Sequence, residues 1–136
     1  MRILIDTNIL ISAALNGNGT PNRAYLKAVT FPNHAIVCDQ NIDELRRIFN
    51  RKFPNKIPLL ERFLSLALTV LEVVPTPVFA EDAEVLIRDS KDRPILRAAI
   101  DANVDILLTG DKDFLESGVK HPRMLTAAQF LELNEV

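Results

Sequence analysis

Three short apolar runs constrain the fold of this 136-residue chain more than any other feature of its sequence. They lie at residues 3–5, 35–38 and 106–108, and none of them alternates between apolar and polar side chains. Continuous runs of this length are typical of parallel strands that are buried on both faces. Shorter runs at 73–74 and 124–125 are weaker strand candidates. The pattern therefore predicts a parallel sheet that is covered by helices.

Helical patterns occupy the intervals between the predicted strands. The predicted helices run from the N-cap Thr20 to about residue 29, from the cap Asp39 through Phe49, over 59–71, over 93–102, and onward from a capping box of Thr126 and Gln129. Strands that alternate with helices predict an α/β fold, here a three-layer α/β/α sandwich with a central, mainly parallel sheet of about five strands. The length fits a single domain, residues 1–136.

Composition excludes several classes of protein. With 48% apolar residues and a net charge of −2, the chain has the content of a folded domain rather than a disordered one. Its longest apolar run, 63–74, is shorter than a membrane span and contains polar residues. Asp6 interrupts the apolar N-terminus that a signal peptide needs, and the one cysteine, Cys38, has no internal partner. We therefore expect a cytoplasmic protein without a membrane association.

The predicted helix over 59–71 carries apolar residues on almost every side. A small domain covers such a helix with difficulty, so the segment is either deeply buried or part of an interface. On this ground we expect a homodimer that forms through residues 59–71.

Acidic side chains follow the predicted strands, at the edge of a parallel sheet where ligands bind. Carboxylates that are crowded into one crevice repel one another, and divalent cations relieve that repulsion. The two histidines, His34 and His121, lie at the predicted strand starts, so we expect them to be structural. The acids are Asp6 after the first strand, Glu44 in the helix after the second, Asp89 and Asp92 before the helix over 93–102, and Asp111 and Asp113 after the strand at 106–108.

Oxygen ligands without histidine or cysteine favour Mg²⁺ or Mn²⁺, as one or two ions, over zinc. A carboxylate-lined site of this kind supports phosphodiester hydrolysis, because the ion activates water and stabilises charge on the phosphoryl group. Most of these acids also have a structural alternative. Glu44 could form a surface salt bridge, Asp89 or Asp111 could cap a helix, and Asp113 could interact with a helix dipole.

The order of these motifs resembles that of the PIN domain, a family of metal-dependent ribonucleases. The resemblance depends on Asp-Thr-Asn-Ile-Leu at 6–10 with Ser12 following, on Glu44-Leu45, on Asp-Ser-Lys-Asp at 89–92, and on Leu-Thr-Gly-Asp-Lys-Asp-Phe-Leu at 108–115. It extends over essentially the whole chain. The most similar subgroup is that of VapC-like toxin components of prokaryotic toxin–antitoxin pairs. A departure is Asp39, where that subgroup more often has a serine.

The resemblance implies roles for individual residues. The catalytic acids would be Asp6, Glu44, Asp92 and Asp111, and the metal ligands Asp6, Asp92, Asp111 and Asp113. Thr7, Asn8, Ser12 and Thr109 would support them. The implied function is that of an Mg²⁺- or Mn²⁺-dependent endoribonuclease that cuts single-stranded or structured RNA. A cognate antitoxin protein is the implied partner.

Four basic residues lie on the predicted helix of Glu44. They are Arg46, Arg47, Arg51 and Lys52, and they are candidates for holding an RNA backbone without reading its sequence. Because adjacent helical residues point about 100° apart, the four cannot all face one strand. The alternative is that they form a solvated helix face.

Other functions fit the same acids less well. A haloacid-dehalogenase-like phosphatase has a second acid two residues after the first, where this chain has Asn8. A response-regulator receiver has a phosphorylatable Asp after its third strand, where this chain has Val74 and Pro75. A metal-dependent DNA nuclease and a non-catalytic interaction module with the PIN fold stay open as alternatives.

Overall fold

The computed structural model describes residues 1–133, and its centre is a five-stranded sheet. All neighbouring strands are parallel, and their order is β3-β2-β1-β4-β5. This confirms the predicted parallel sheet, including the two weak strand candidates, which are its edges. The strands are β1 (Arg2–Ile5), β2 (His34–Cys38), β3 (Glu72–Val74), β4 (Ile106–Leu108) and β5 (Arg123–Leu125).

Within residues 1–133, seven α-helices connect and cover these strands. Two short 3-10 helices lie at Pro54–Lys56 and Asp82–Leu86. No helix within the described residues is long and apolar enough to cross a membrane. The helices are α1 (Thr7–Leu15), α2 (Thr20–Val29), α3 (Asp39–Lys52), α4 (Ile57–Ala67), α5 (Arg93–Asp101), α6 (Lys112–Leu115) and α7 (Ala127–Glu132).

Two helix starts differ from the sequence prediction by one residue. Thr20 is the first residue of α2 rather than its cap, and the N-cap position belongs to Gly19. Asp39 likewise is the first residue of α3, after the N-cap Cys38. The capping box of Thr126 with Gln129 is confirmed at the start of α7.

Helix α1 has no counterpart in the prediction. Its segment is apolar almost throughout, so no one-sided stripe marks it as helical. Its start is fixed by Asp6, whose carboxylate accepts a hydrogen bond from the Thr7 N–H. The helix therefore begins at a residue that the sequence indicated only as a functional acid.

The predicted helix over 59–71 is shorter and more one-sided than expected. Helix α4 ends at Ala67, and its buried residues Leu60, Leu64 and Ala67 lie along one face. Leu66 on the other side is 67% exposed. Of the two predicted alternatives, deep burial is therefore wrong, and the interface stays a prediction because an apolar face is exposed.

The sheet separates two apolar clusters, which confirms the three-layer arrangement. Ile3 and Ile5 of β1 face a cluster that includes residues of α1 to α4 and α7. Leu4, between them, faces a second cluster formed with α5 and α6. Alternate residues of one strand thus bury on opposite sides, which is why the run at 3–5 is apolar throughout.

The strand order creates a crevice at one edge of the sheet. From β1 the chain moves outward to β2 and β3, and it then returns to the other side of β1 to form β4 and β5. Strand order therefore reverses between β1 and β4. In parallel sheets, ligands bind at the carboxyl ends of the strands at such a reversal.

A buried ion pair holds the segment between β3 and α5. Arg97 of α5 donates two hydrogen bonds to the Glu84 carboxylate, at 2.9 and 3.0 Å, and a third to the Pro77 carbonyl at 2.9 Å. Only 5% of the Glu84 side chain is exposed. The guanidinium holds the pKa of Glu84 below its usual value by hydrogen bonding. The pair therefore anchors the chain just before Asp89 and Asp92.

We predict that Glu84→Gln lowers the free energy of unfolding by about 3 kcal/mol, because it leaves the Arg97 charge partly buried without its partner. The matched control is Glu61→Gln, which breaks the exposed ion pair with Arg46 and should cost less than about 1 kcal/mol. Urea unfolding of both variants measures the difference. Equal losses would contradict the anchoring role of Glu84.

Candidate active site

The first acid of the site is held at the end of β1 by hydrogen bonds to both carboxylate oxygens. Asp6 is 7% exposed. Its Oδ1 accepts the Thr7 N–H at 2.8 Å, and its Oδ2 accepts the hydroxyl of the fully buried Thr109 at 2.8 Å. The Asp6 N–H continues the strand pairing by donating to the Leu108 carbonyl at 2.9 Å. The carboxylate is therefore fixed between the ends of β1 and β4.

The same threonine positions the turn that follows β4. The Thr109 hydroxyl accepts the Asp111 N–H at 3.0 Å, and Asp111 Oδ1 accepts the Asp113 N–H at 2.9 Å. Asn8 Oδ1 accepts the Gly110 N–H at 3.4 Å. Asp111 thus caps α6, as its structural alternative predicted, and it also lies in the hydrogen-bonded network of Asp6.

Three further acids form a cluster before α5 and in α6. One carboxylate oxygen from each of Asp89, Asp92 and Asp113 lies within 4.8 Å of the other two. Asp89 accepts the Lys91 N–H at 3.0 Å, and the N-cap position of α5 belongs to Asp92, so Asp89 is not the helix cap that was its alternative. Asp113 also pairs with Arg88 at 3.0 Å.

Mutual repulsion connects the two groups of acids. The pKa of Asp92 is raised to about 7 in total: burial contributes most, then the charge of Asp111 and a hydrogen bond with it, and then the charges of Asp6 and Asp89. Burial likewise raises the pKa of Asp6 to about 6, against hydrogen bonds from Thr109 and Thr7 that lower it. The charges of Glu44 and Asp111 add to the rise for Asp6. The acids predicted from the sequence therefore act on one another electrostatically.

The donor set fits a hard divalent cation. The site offers carboxylate oxygens, which Mg²⁺ and Mn²⁺ prefer. His34 is held elsewhere, by Glu72 at 2.7 Å at the start of β2. Crowded carboxylates with raised pKa values bind a divalent ion favourably, because the ion replaces the protons that relieve their repulsion. The residues present are therefore compatible with a metal-dependent centre.

One buried residue of this network was missed by the sequence analysis. Asn41 of α3 is fully buried, and its Nδ2 donates to the Thr7 hydroxyl at 3.0 Å. Its Oδ1 accepts the Cys38 N–H at 3.0 Å. Asn41 shares its helix face with the buried Leu45 and Phe49. A polar residue at that spacing on an apolar face was the signal that could have found it.

Ser12 takes no part in these hydrogen bonds. It lies exposed on α1, and its hydroxyl has no hydrogen-bond partner within residues 1–133. Hydrogen bonds connect Thr7, Asn8 and Thr109 to the network of the acids, and the predicted supporting role of Ser12 stays a prediction.

The four basic candidates on α3 lie in different surroundings. Arg47 and Arg51 line a cavity of about 210 Å³ together with Glu44. Arg46 instead pairs with Glu61 of α4, and Lys52 is exposed at the end of α3. As the helical geometry predicted, the four do not share one face.

The family of this chain is shown by a match to a protein-family model. A family model described as a PIN domain matches residues 2–113, the range that contains all six acids. The chain belongs to the PIN domain family. The sequence-based resemblance is thereby confirmed, and membership places the chain in a family of nucleases.

Two solved structures share the PIN fold with this chain. VapBC2 from Rickettsia felis, bound to a DNA fragment from its promoter, superposes with a TM-score of 0.70 at 16% identity, over 93% of this chain and 98% of that chain. VapC20 from Mycobacterium tuberculosis, described as a sarcin-ricin loop cleaving toxin, gives 0.61 at 17% identity, over 85% and 95%. No curated protein matches the chain. At these identities the similarity is one of fold.

We predict that the metal-free PIN domain becomes less stable as the pH rises from about 4 to about 8. The pKa values of Asp6 and Asp92 are raised, so in this range the folded chain holds protons that the unfolded chain has released. Asp92→Asn removes one of the repelling charges. In EDTA at pH 8 it should raise the melting temperature by roughly 4 °C, which corresponds to about 1 kcal/mol.

The control for this measurement is Asp43→Asn, which removes an exposed charge from α3. Thermal unfolding at pH 5 and pH 8 compares both variants with the unmutated chain. An Asp92→Asn variant that is no more stable than Asp43→Asn at pH 8 would contradict the repulsion.

Proposed function

We propose that this PIN domain is an Mg²⁺- or Mn²⁺-dependent endoribonuclease and the toxin of a toxin–antitoxin pair. The observation that carries the proposal is the joint placement of Asp6 and Asp111, which share the Thr109 hydroxyl beside Asp92. Carboxylates from three separate parts of the chain converge at the crevice where the strand order reverses. Family membership and the likeness to two VapC toxins support the same function.

In this proposal, Asp6, Asp92 and Asp111 hold the ion, and Asp113 is a further ligand. When bound, the ion supplies activated water and stabilises the charge that develops on the phosphoryl oxygens. The resemblance to the family implies a role for Asp92 and none for Asp89. Asp89 joins the candidate ligands because its carboxylate lies with those of Asp92 and Asp113.

The chain's own residues orient the site. Thr109 and the Thr7 N–H fix both oxygens of Asp6, so this carboxylate has one orientation before any substrate binds. Such positioning partners matter because a ligand that is already oriented loses little freedom on binding. Glu44, partly buried on α3, acts electrostatically on Asp6, and we assign it to completing the site or positioning the water.

The test is cleavage of a labelled single-stranded RNA with Mg²⁺ or Mn²⁺. We expect cleavage that EDTA and Asp6→Asn both abolish. Thr109→Val should reduce the rate by about 10–100-fold, because it removes the hydroxyl shared by Asp6 and Asp111, whereas Thr109→Ser should retain activity. Equal activity of Asp6→Asn and the unmutated chain would contradict the enzyme and favour the interaction module. Cleavage of single-stranded DNA alone would favour the DNA nuclease.

Two protein partners belong to the proposal. A cognate antitoxin follows from the likeness to the VapBC2 complex. A homodimer through residues 59–71 is supported by the exposed Leu66, Leu68 and Val70. An apolar groove of about 400 Å³ between α2 and α4 adjoins them. A cytoplasmic location is part of the same proposal.

Sedimentation at micromolar concentration tests the homodimer, with Leu66→Glu as the variant. We expect the unmutated chain to sediment as a dimer and the variant as a monomer, because a charge on this face would have to be buried in the interface. A monomeric unmutated chain would contradict this part of the proposal.

A further inference from the structure

A basic cavity lies beside the acidic centre, on the outer face of α3. It has a volume of about 210 Å³ and contains Glu44 at one end. Glu44, Arg47, Ile48 and Arg51 are spaced so that they share one face of the helix. The fifth lining residue, Lys91, comes from the loop that carries Asp89 and Asp92. The cavity therefore joins α3 to the loop of the acidic cluster.

The loop of Lys91 is held against α3 by hydrogen bonds. The Lys91 carbonyl accepts the Gln40 side-chain amide at 3.3 Å, and the Lys91 N–H donates to Asp89 at 3.0 Å. The backbone of Lys91 is thus tied both to the start of α3 and to the acidic cluster. Its ammonium group reaches the cavity on a flexible stem.

The three cations of the cavity are not neutralised by neighbouring acids. Within residues 1–133, Arg47, Arg51 and Lys91 form no ion pair, whereas Arg46 pairs with Glu61 and Arg88 with Asp113. Glu44 is the one acid among the lining residues, so the lining carries a net positive charge. Among the described residues, no aromatic side chain lines the cavity. Its chemistry is that of a site for phosphate groups rather than for stacked bases.

We propose that this basic cavity binds the phosphates of the RNA strand that flank the bond to be cut, with Arg47, Arg51 and Lys91 as positioning residues. The inference rests on the proposed ribonuclease function. An α-helix rises 1.5 Å per residue, so Arg51 lies about 10 Å along the axis from Glu44. Contacts to phosphates alone hold the strand without selecting its sequence.

The experiment measures the salt dependence of RNA binding. The parent is Asp6→Asn with Mn²⁺ present, the probe is a labelled single-stranded RNA of twelve nucleotides, and the readout is fluorescence anisotropy. The Arg47→Ala, Arg51→Ala double variant should lower the slope of log affinity against log salt by about 1.4, and Lys91→Ala should lower it by about 0.7. The conservative Arg47→Lys, Arg51→Lys variant should restore most of the slope, because it keeps both charges.

The matched control is Arg62→Ala, which removes one exposed cation from α4, outside the cavity. It should leave the slope unchanged. Melting temperatures of all variants exclude unfolding as the cause of any loss. The inference would be overturned if the Arg47→Ala, Arg51→Ala variant had the same salt slope as Arg62→Ala. It would also be overturned if the Asp6→Asn parent did not bind the RNA.

Cleavage of the same RNA by the unmutated chain separates this inference from the proposed function. Cleavage together with unchanged slopes refutes the basic cavity alone. Reduced slopes without cleavage support the cavity as an RNA-binding surface and refute the ribonuclease. When Asp6 is intact, the cavity variants should raise KM far more than they lower kcat. The reason is that Arg47, Arg51 and Lys91 hold the strand beside the reacting phosphate and do not contact that phosphate.

Discussion

The hydroxyl of Thr109 donates to Asp6 and accepts from the Asp111 backbone, and the geometry of the acidic centre depends on these two bonds. This hydroxyl lies where the central strand β1 and its neighbour β4 end together. Without this hydroxyl, one carboxylate oxygen of Asp6 would lose its hydrogen bond, and the Asp111 N–H would lose its acceptor. The pairing of β1 with β4 therefore determines how Asp6 and Asp111 lie relative to each other.

This arrangement opposes the stability of the chain that carries it. Burial and like charge raise the pKa values of Asp6 and Asp92, which means that the ionised site is disfavoured in the metal-free protein. The surrounding fold compensates through contacts outside the site. The Glu84–Arg97 pair anchors the segment before Asp89, and Asn41 connects the first turn of α1 to the start of α3. A bound divalent ion would add stability at the site itself.

The sequence was most informative where one physical rule decides the outcome. Continuous apolar runs identified the strands, because both faces of a central parallel strand are buried. The acids could be predicted to lie close together, because the carboxyl ends of parallel strands meet at one edge of the sheet. Helix α1 was missed because its apolar residues lie on most sides and form no single stripe. The salt bridge of Glu84 was missed because its partner lies thirteen residues away. Which of Arg46, Arg47 and Arg51 faces the site depends on how α3 packs against α4, and local sequence does not specify this packing.

The central claim is that a divalent ion takes the place of protons among these carboxylates. Calorimetric titration with Mn²⁺ at pH 6.5, in two buffers of different ionisation enthalpy, tests it most directly. Because the pKa values of Asp6 and Asp92 are about 6 and about 7, binding should release about one proton per chain, and the heat should differ between the buffers. Equal heats in both buffers, or no binding at millimolar Mn²⁺, would contradict the account.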